Sequence, residues 1–510
     1  MKSETDTLQK QNGWRSVFAC DLRSLAAMRI ALGGLILVDL AMRARSLTAM
    51  YTDEGFFPLS TWHEYVGNIS ATTEPLGWSI HALHGGGVFQ GFLFIIAAVA
   101  ATMMVLGWKT RVACVVSWVL LVSLQMRNPL ILHSGDVLFR LALFWSMFLP
   151  LNAVWSLDAK KRGAEISLIP VFSGATIGLI LTLFSLYFFA GIAKLNDFWL
   201  SGEAMGYVMK LDIYTTAFGK WLMQWPLVLK IITWVTLAGE IVLPVLLLTP
   251  WKNALWRRVA LVFFIGLHLG IAACMSIGLF SPIAIACWLA LLPGTFWLGW
   301  TSFFSKGNSQ QPTPQKDSAL PTWANVFCFF MVGYFLAWNI ATINHPLCQK
   351  FMPQEARVVG KWLNMRQSFR MFDLPPPHSP WFVYEAQLKN GATVDIFRNQ
   401  PVDHDRPSSI LATIPQHHWR RLHRNLARPS FEKYRVPVAE YMVRQWNTSH
   451  DEDSQIVTAK TTAYLDEITR GAESSGLITQ VWYQYGSEIA DQQMFDELLE
   501  QVKQKGIILP

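Results

Sequence analysis

Charge is scarce in this chain. Only 15% of its residues are Asp, Glu, Lys or Arg, against 52% hydrophobic, and a water-soluble protein of this length carries more. That scarcity excludes a wholly soluble globular enzyme. The signatures of common soluble chemistries are missing too: no P-loop, no Rossmann glycine fingerprint, no GxSxG turn and no HExxH helix. The polar start, Met1 to Gly13, has no apolar h-region or cleavage site, so no removable signal peptide is expected. Cysteine is sparse: Cys20, Cys114, Cys274, Cys287, Cys328 and Cys348. Four lie in apolar stretches, none has metal-ligand spacing, and Cys348 has no obvious partner. They read as small buried hydrophobes, with neither a disulfide framework nor a metal site. The formal charge of +7 comes from basic residues beside apolar segments. That pattern is a topology signal and does not imply nucleic-acid binding.

What the chain has in abundance is apolar length. Nine stretches approach the roughly 20 residues of a spanning helix: about 25–43, 87–107, 110–127, 136–151, 168–193, 226–249, 258–277, 281–300 and 323–343. Basic residues recur at every second junction. Lys2, Lys10, Arg15 and Arg23 precede the first span, Lys109 and Arg111 join the second and third, and Lys160, Lys161 and Arg162 follow the fourth. Lys252, Arg257 and Arg258 join the sixth and seventh, and Lys306 and Lys316 follow the eighth. With nine crossings all of these share one side, and the positive-inside rule makes that side cytoplasmic. The expected architecture is an all-α polytopic membrane domain of eight or nine transmembrane helices over residues 1–344, N-terminus inside. Residues 304–321 read as a flexible cytoplasmic linker. A small exterior α+β domain over 345–510 follows. In it Trp381–Leu388 and Ala392–Phe397 flank an Asn390-Gly391 turn, Leu477–Tyr485 reads as a strand, and Ala439–Trp446 and Gln492–Lys505 read as helices.

Ionisable groups inside spans are costly, so each is a functional candidate. The topology gathers Asp39, His133, Asp136, Arg140 and Lys194 toward the exterior leaflet, where they converge on one polar pocket or serve as structural ion pairs, Asp39 with Arg140. Glu240 and His268 lie 14 residues either side of the loop centred on Ala254. Equal depth in an antiparallel hairpin lets them hydrogen-bond to each other or both face the pocket, as a proton-relaying pair or a structural one. Lys194 ends a long apolar run and is followed by the acidic, aromatic Leu195-Asn-Asp-Phe-Trp199. A desolvated lysine can act as a neutral base; the alternative is a lysine snorkelling to the headgroups. His417-His418 and Asp403-His404-Asp405 read as solvated surface.

At these residues the sequence resembles the HTTM family, the membrane domain shared by vitamin K-dependent gamma-carboxylases and many bacterial proteins. The resemblance rests on Arg29-Ile-Ala-Leu-Gly33 with Asp39 and Arg43, Tyr51-Thr-Asp-Glu-Gly55, His133-Ser-Gly-Asp136, Phe144-Trp-Ser-Met-Phe-Leu-Pro150, Tyr187 through Trp199, Gly239-Glu-Ile-Val-Leu-Pro244 and His268 through Phe280, and it covers about 30–345. The resemblance implies Lys194 as the base that deprotonates a reduced quinone, a vitamin K hydroquinone or menaquinol, with His133 assisting. It implies O2 and CO2 as co-substrates and no metal. The activity implied couples quinol oxidation to carboxylation or related base chemistry. Asp39, Asp136, Arg140, Trp199, Glu240 and His268 would line the pocket. Membrane lipid, the quinone and an exterior peptide or protein substrate are the implied partners, and a bacterial inner membrane the implied location. Three features stand against the carboxylase reading: Ala193 stands where a second lysine is common, the acidic Asp197 close by favours protonated Lys194, and the tail is shorter than the propeptide-binding lumenal region. The alternative from another class is a non-catalytic membrane protein that binds lipid or a partner, such as an export or immunity factor.

Overall fold

A computed structural model of the chain describes residues 13–71, 77–163, 169–297, 320–343, 346–353, 355–365, 369, 371–374, 376–468 and 476–486. The linker at 304–319 and the helix expected at Gln492–Lys505 lie outside the described residues. The chain divides into two compact units. The first runs over Met1–Thr52, Pro58–Met209 and Thr215–Pro375, and the second over Asp53–Phe57, Lys210–Tyr214 and Pro376–Pro510. The described residues between 346 and 374, beyond the boundary expected near 345, thus group with the helical unit.

The helical unit contains α1 (Leu22–Ala44), α2 (Gly87–Leu106), α3 (Thr110–Arg127), α4 (Ser134–Ser146), α5 (Gly174–Ala193), α6 (Pro226–Leu247), α7 (Asn253–Cys274), α8 (Phe280–Leu289) and α9 (Thr322–Ala341). Among the described residues, seven of these are long and apolar enough to cross a membrane. The two exceptions, α4 and α8, are the segments expected at 136–151 and 281–300. Both are short because they form the buried centre: α4 packs on α3, α5 and α8, and α8 packs also on α1 and α7. Nearly every residue of α4 is buried, so its segment needs no long lipid-facing helix. The outer helices turn apolar side chains outward, among them Val88, Phe92 and Ile95 on α2, Val262 on α7, and Trp323 and Phe330 on α9. A bilayer, not water, suits that surface.

Both short helices sit in segments that still traverse the bundle. Downstream of α4, Asp158 accepts the backbone N–H groups of Lys109 (2.8 Å) and Thr110 (2.9 Å), at the start of α3. The chain has therefore run the length of α3 in reverse. Downstream of α8, the Leu292 carbonyl accepts Ser24 Oγ at 2.7 Å and the Gly294 carbonyl accepts Arg23 at 3.2 Å, both at the start of α1. At this same end Arg257 bonds the Ala19 carbonyl at 2.9 Å and Cys20 bridges to Val171. The basic junctions at 23, 109, 160–162 and 252–258 thus gather at one end of the bundle.

The second unit is one antiparallel sheet in the order β3-β2-β1-β4-β5: β1 His378–Leu388, β2 Thr393–Asp395, β3 Gln400–Pro401, β4 Ile456–Glu467 and β5 Leu477–Tyr485. The hairpin turn falls at Asn390-Gly391, where Gly391 takes a φ of 84°, a left-handed value that glycine adopts freely. The helices α10 (His417–Leu426) and α11 (Arg435–Ser449) accompany the sheet. Ala386, Leu388, Ile456 and Ala459 meet Val443 and Trp446 of α11 in its core. The two short segments that precede α2 and α6 complete it. Phe56 packs on Trp419 and Tyr441, Phe57 packs on Tyr434, and Asp212 accepts the Ile410 N–H at 3.2 Å.

Candidate functional site

Lys194 is the C-cap of α5. A helix cap at a membrane edge invites snorkelling, yet this side chain turns inward and is 3% exposed. Its Nζ donates to Glu240 Oε2 at 2.5 Å and lies 5.0 Å from the centre of the Trp199 ring. Close helix approach makes this possible. A Cβ on Gly191 would meet Ile241 Cγ1 at 2.7 Å and the Glu240 backbone and Cβ at 3.2 Å. With no side chain at 191, α5 and α6 come close enough for a buried ammonium–carboxylate pair. The following loop is held in place: Asn196 caps the turn Asp197–Leu200 and bonds the Asp373 carbonyl, while Trp199 Nε1 donates to the Phe372 carbonyl at 2.8 Å. Asp197, adjacent in sequence, is exposed. The carboxylate that matters to Lys194 comes from α6.

The pairing expected between Glu240 and His268 is replaced by two others. Glu240 takes Lys194, and His268 Nε2 lies 2.7 Å from Tyr187 Oη, which accepts the Trp288 indole N–H at 2.8 Å. Equal depth in a hairpin fixes height but not direction around each helix. Tyr187 and Lys194 are seven residues apart, two turns, and so share one face of α5. The rings of Tyr187, Phe264, His268, Phe280 and Trp288 pack together, with Phe264 and Trp288 stacked at 4.9 Å.

A second polar cluster is built around Arg43, which is buried at the C-terminal end of α1. Its guanidinium bonds Asp39 Oδ2, Tyr51 Oη and Asp136 Oδ1, each at 2.8 Å. Arg140 donates to Gln125 Oε1 at 2.8 Å, and Gln125 reaches Asp136 at 3.4 Å. Arg43, bridging Asp39 to Asp136, ties α1 to α4. Nearby, His81 Nδ1 meets Ser123 Oγ at 2.8 Å. Burial, with Arg127 and Arg43 adding their repulsion, drives His81 down to about 3, so it is neutral. His133 is the N-cap of α4. Its Nδ1 accepts the Gly135 N–H at 2.9 Å, its own N–H donates to Asp136 Oδ2 at 2.8 Å, and its Nε2 lies 3.6 Å from that same oxygen. The polar partners of Lys194 are Glu240 and the Trp199 ring; His133 is not one of them. Between the two clusters stands Phe280: its ring meets His268 at 5.2 Å, and a Cβ on Gly135 would meet its Cα at 3.0 Å.

Sequence reasoning named Lys194, Glu240, His268, Asp39, Asp136, Arg140, Trp199 and His133, and passed over Tyr187, Trp288, Tyr51, Gln125 and His81 as site residues. Arg43 had a readable signal, since Asp39 and Arg43 are spaced i,i+4. Tyr187 had another, the i,i+7 spacing to Lys194. His81 lies in a connecting turn and had none. In the second unit, His417 and His418, read from sequence as solvated, are buried on α10. His404 is half exposed but engaged, 2.7 Å from Tyr464 Oη and 3.4 Å from Glu385. Among the described residues no group of three His, Cys, Asp or Glu could hold a metal.

No curated protein and no solved structure matches the chain. One family does: the HTTM domain matches residues 18–293, more than half of the 510 residues. That stretch contains both polar clusters, the Lys194–Glu240 pair and the aromatic group around His268, and the chain therefore belongs to the HTTM-domain family.

Proposed function

We propose that this protein is an integral membrane enzyme of the carboxylase type within that family, with the Lys194–Glu240 pair as its proton-handling centre. The observation that carries the reading is the burial of that pair. A charged pair inside a membrane bundle costs desolvation that an apolar pair avoids, so its presence speaks for use. A reduced quinone held here would supply an oxidisable hydroxyl, and its oxidation by O2 would furnish the strong base that proton removal and CO2 capture require. The residues suit such a group: the rings of Tyr187, Phe264, Phe280 and Trp288 pack around His268, and the Lys194–Glu240 pair lies two turns along the same face of α5. Shift of one proton from Nζ to Glu240 Oε2 leaves a neutral amine beside a carboxylic acid. That amine can then accept a proton from a bound hydroxyl, with Trp199 and the 371–374 segment keeping water away. His133 orders the start of α4 and holds Asp136, and through it Arg43, in place. We further place the basic end of the bundle in the cytoplasm of a bacterium, by the positive-inside rule, with lipid around the bundle and a peptide or protein substrate on the exterior.

The test is quinol consumption by the purified full-length protein supplied with menaquinol and O2. Wild type should oxidise it. Lys194→Ala and Lys194→Arg should not, since a guanidinium stays charged, and Glu240→Gln should be slowed. Melting curves establish that each variant is folded. Full activity in Lys194→Arg, or no quinol oxidation by wild type, refutes the reading.

A further inference from the structure

The indole N–H of Trp288 can only donate, and it donates to Tyr187 Oη at 2.8 Å. The tyrosine hydroxyl has a single proton. Were His268 Nε2–H the donor across the 2.7 Å contact, the Tyr187 proton would have no acceptor among the described residues; donation by Tyr187 to His268 Nε2 satisfies it and is the direction we adopt. Nε2 is then an acceptor, and in a neutral imidazole the ring proton must sit on Nδ1. His268 is 1% exposed, and its Nδ1 is buried without a hydrogen-bond partner among the described residues. A buried N–H left unmade is costly, whereas Phe at this position would carry no such group. The chain Trp288–Tyr187–His268 therefore presents one aligned donor among aromatic rings, on the side of α5 that also carries Lys194.

We propose that His268 Nδ1–H is the hydrogen-bond donor to one oxygen of the bound quinone, and that Trp288 and Tyr187 are positioning residues which fix its tautomer; this rests on the quinone reading above. The ligand class follows from the chemistry: the surroundings of His268 are aromatic and apolar, which suits a flat ring, and a neutral N–H calls for an acceptor oxygen. A neutral donor orients such an oxygen without protonating it, so proton transfer remains with Lys194.

The experiment uses the full-length protein in detergent with 2-methyl-1,4-naphthoquinone as the probe. Infrared difference spectra should show one of the two carbonyl bands lowered in frequency, as an asymmetric hydrogen bond requires. His268→Ala should return that band to its unbonded position and weaken binding about tenfold. His268→Asn, which keeps a side-chain N–H, should retain the lowered band. Nitrogen-15 NMR of labelled histidine, which needs no ligand, should show wild-type His268 protonated at Nδ1, and Tyr187→Phe should yield a mixture of tautomers. Wild type that binds no naphthoquinone overturns the quinone reading and this proposal with it. A naphthoquinone that binds with the same carbonyl bands in wild type and His268→Ala overturns this proposal alone, as does a wild-type His268 protonated at Nε2.

Discussion

A buried ion pair and a buried histidine carry opposite electrostatic lessons. Lys194 and Glu240 are buried together, so removing one partner strands a charge in an apolar interior. Lys194→Met should lower stability by about 3–5 kcal/mol, whereas Lys194→Met with Glu240→Leu should recover most of the loss. Thermal melts of the two variants in detergent decide this, and equal losses would mean the pair is not a closed unit. His423 shows the reverse case, a buried ring that stays neutral. Its Nδ1–H donates to the Trp419 carbonyl at 2.8 Å and its Nε2 accepts from Tyr384 Oη at 2.9 Å. Burial pushes it down from the ordinary 6.5 to about 4. The unfolded chain therefore takes up the proton first. The His423 contribution is intact above about pH 6.5 and is lost as pH falls toward 4, by about 3 kcal/mol. Hydrogen exchange at the β1 and β4 amides across that window should show it in wild type and much less in His423→Gln. Both lysine and glutamate were legible as candidates from their place in apolar runs. Their pairing was not, because sequence gives depth along each helix while the choice between Lys194 and His268 depends on which face of α6 meets α5.

Helix contacts in this bundle are set by small residues as much as by large ones. Gly191 is the sharpest case, because any side chain there meets Glu240 and Ile241 of α6. Gly191→Val should push α5 from α6, cost about 1–3 kcal/mol, and lengthen the Lys194–Glu240 contact. Gly266 on α7, where an added Cβ meets nothing within 4 Å, provides the comparison position. A drop in melting temperature no larger for Gly191→Val than for Gly266→Val would remove the close-approach argument. At the start of α4, the cap made by His133 predicts that His133→Ala costs about 1 kcal/mol of stability while His133→Asn, another capping side chain, costs less. If both variants melt as wild type yet lose quinol oxidation, His133 acts on the ligand and not on the helix. At this scale the sequence was most readable where periodicity and length agree, as in α2, α3 and α5. It was least readable for α4 and α8. Both look like spans by composition, and being buried on every side they reach the same end-to-end distance with a shorter helix and irregular chain. β4, the long strand between β1 and β5, was missed for a related reason: at Ile456–Glu467 apolar residues are interleaved with Thr, Lys and Asp, a pattern without a dry run.

Crossing parity links the short helices to the topology of the whole chain. If α4 and α8 dipped into the membrane and returned, seven crossings would remain, and the clusters at Lys160–Arg162 and at Lys252–Arg258 would fall on the side opposite Lys109. The structure shows otherwise: Asp158 bonds the backbone at Lys109 and Thr110, Arg257 bonds Ala19 just before α1, and the Leu292 and Gly294 carbonyls bond Ser24 and Arg23. All of these junctions are at one end, so nine segments traverse the bundle. The candidate ionisable groups lie toward the other end, where α5 finishes at Lys194 and α4 begins at His133. If nine crossings separate the termini and the basic end faces the cytoplasm, as we propose from the positive-inside rule, a reporter enzyme that works only after export should be active when fused after Pro510. The same reporter inserted within residues 304–321 should be silent, and a cytoplasmic reporter should give the complementary pattern. Activity of the exported reporter at both positions would make one of the short segments re-entrant. Silence at Pro510 with activity in the linker would invert the orientation and put Lys194 on the cytoplasmic side, which would require the peptide or protein substrate to be cytoplasmic.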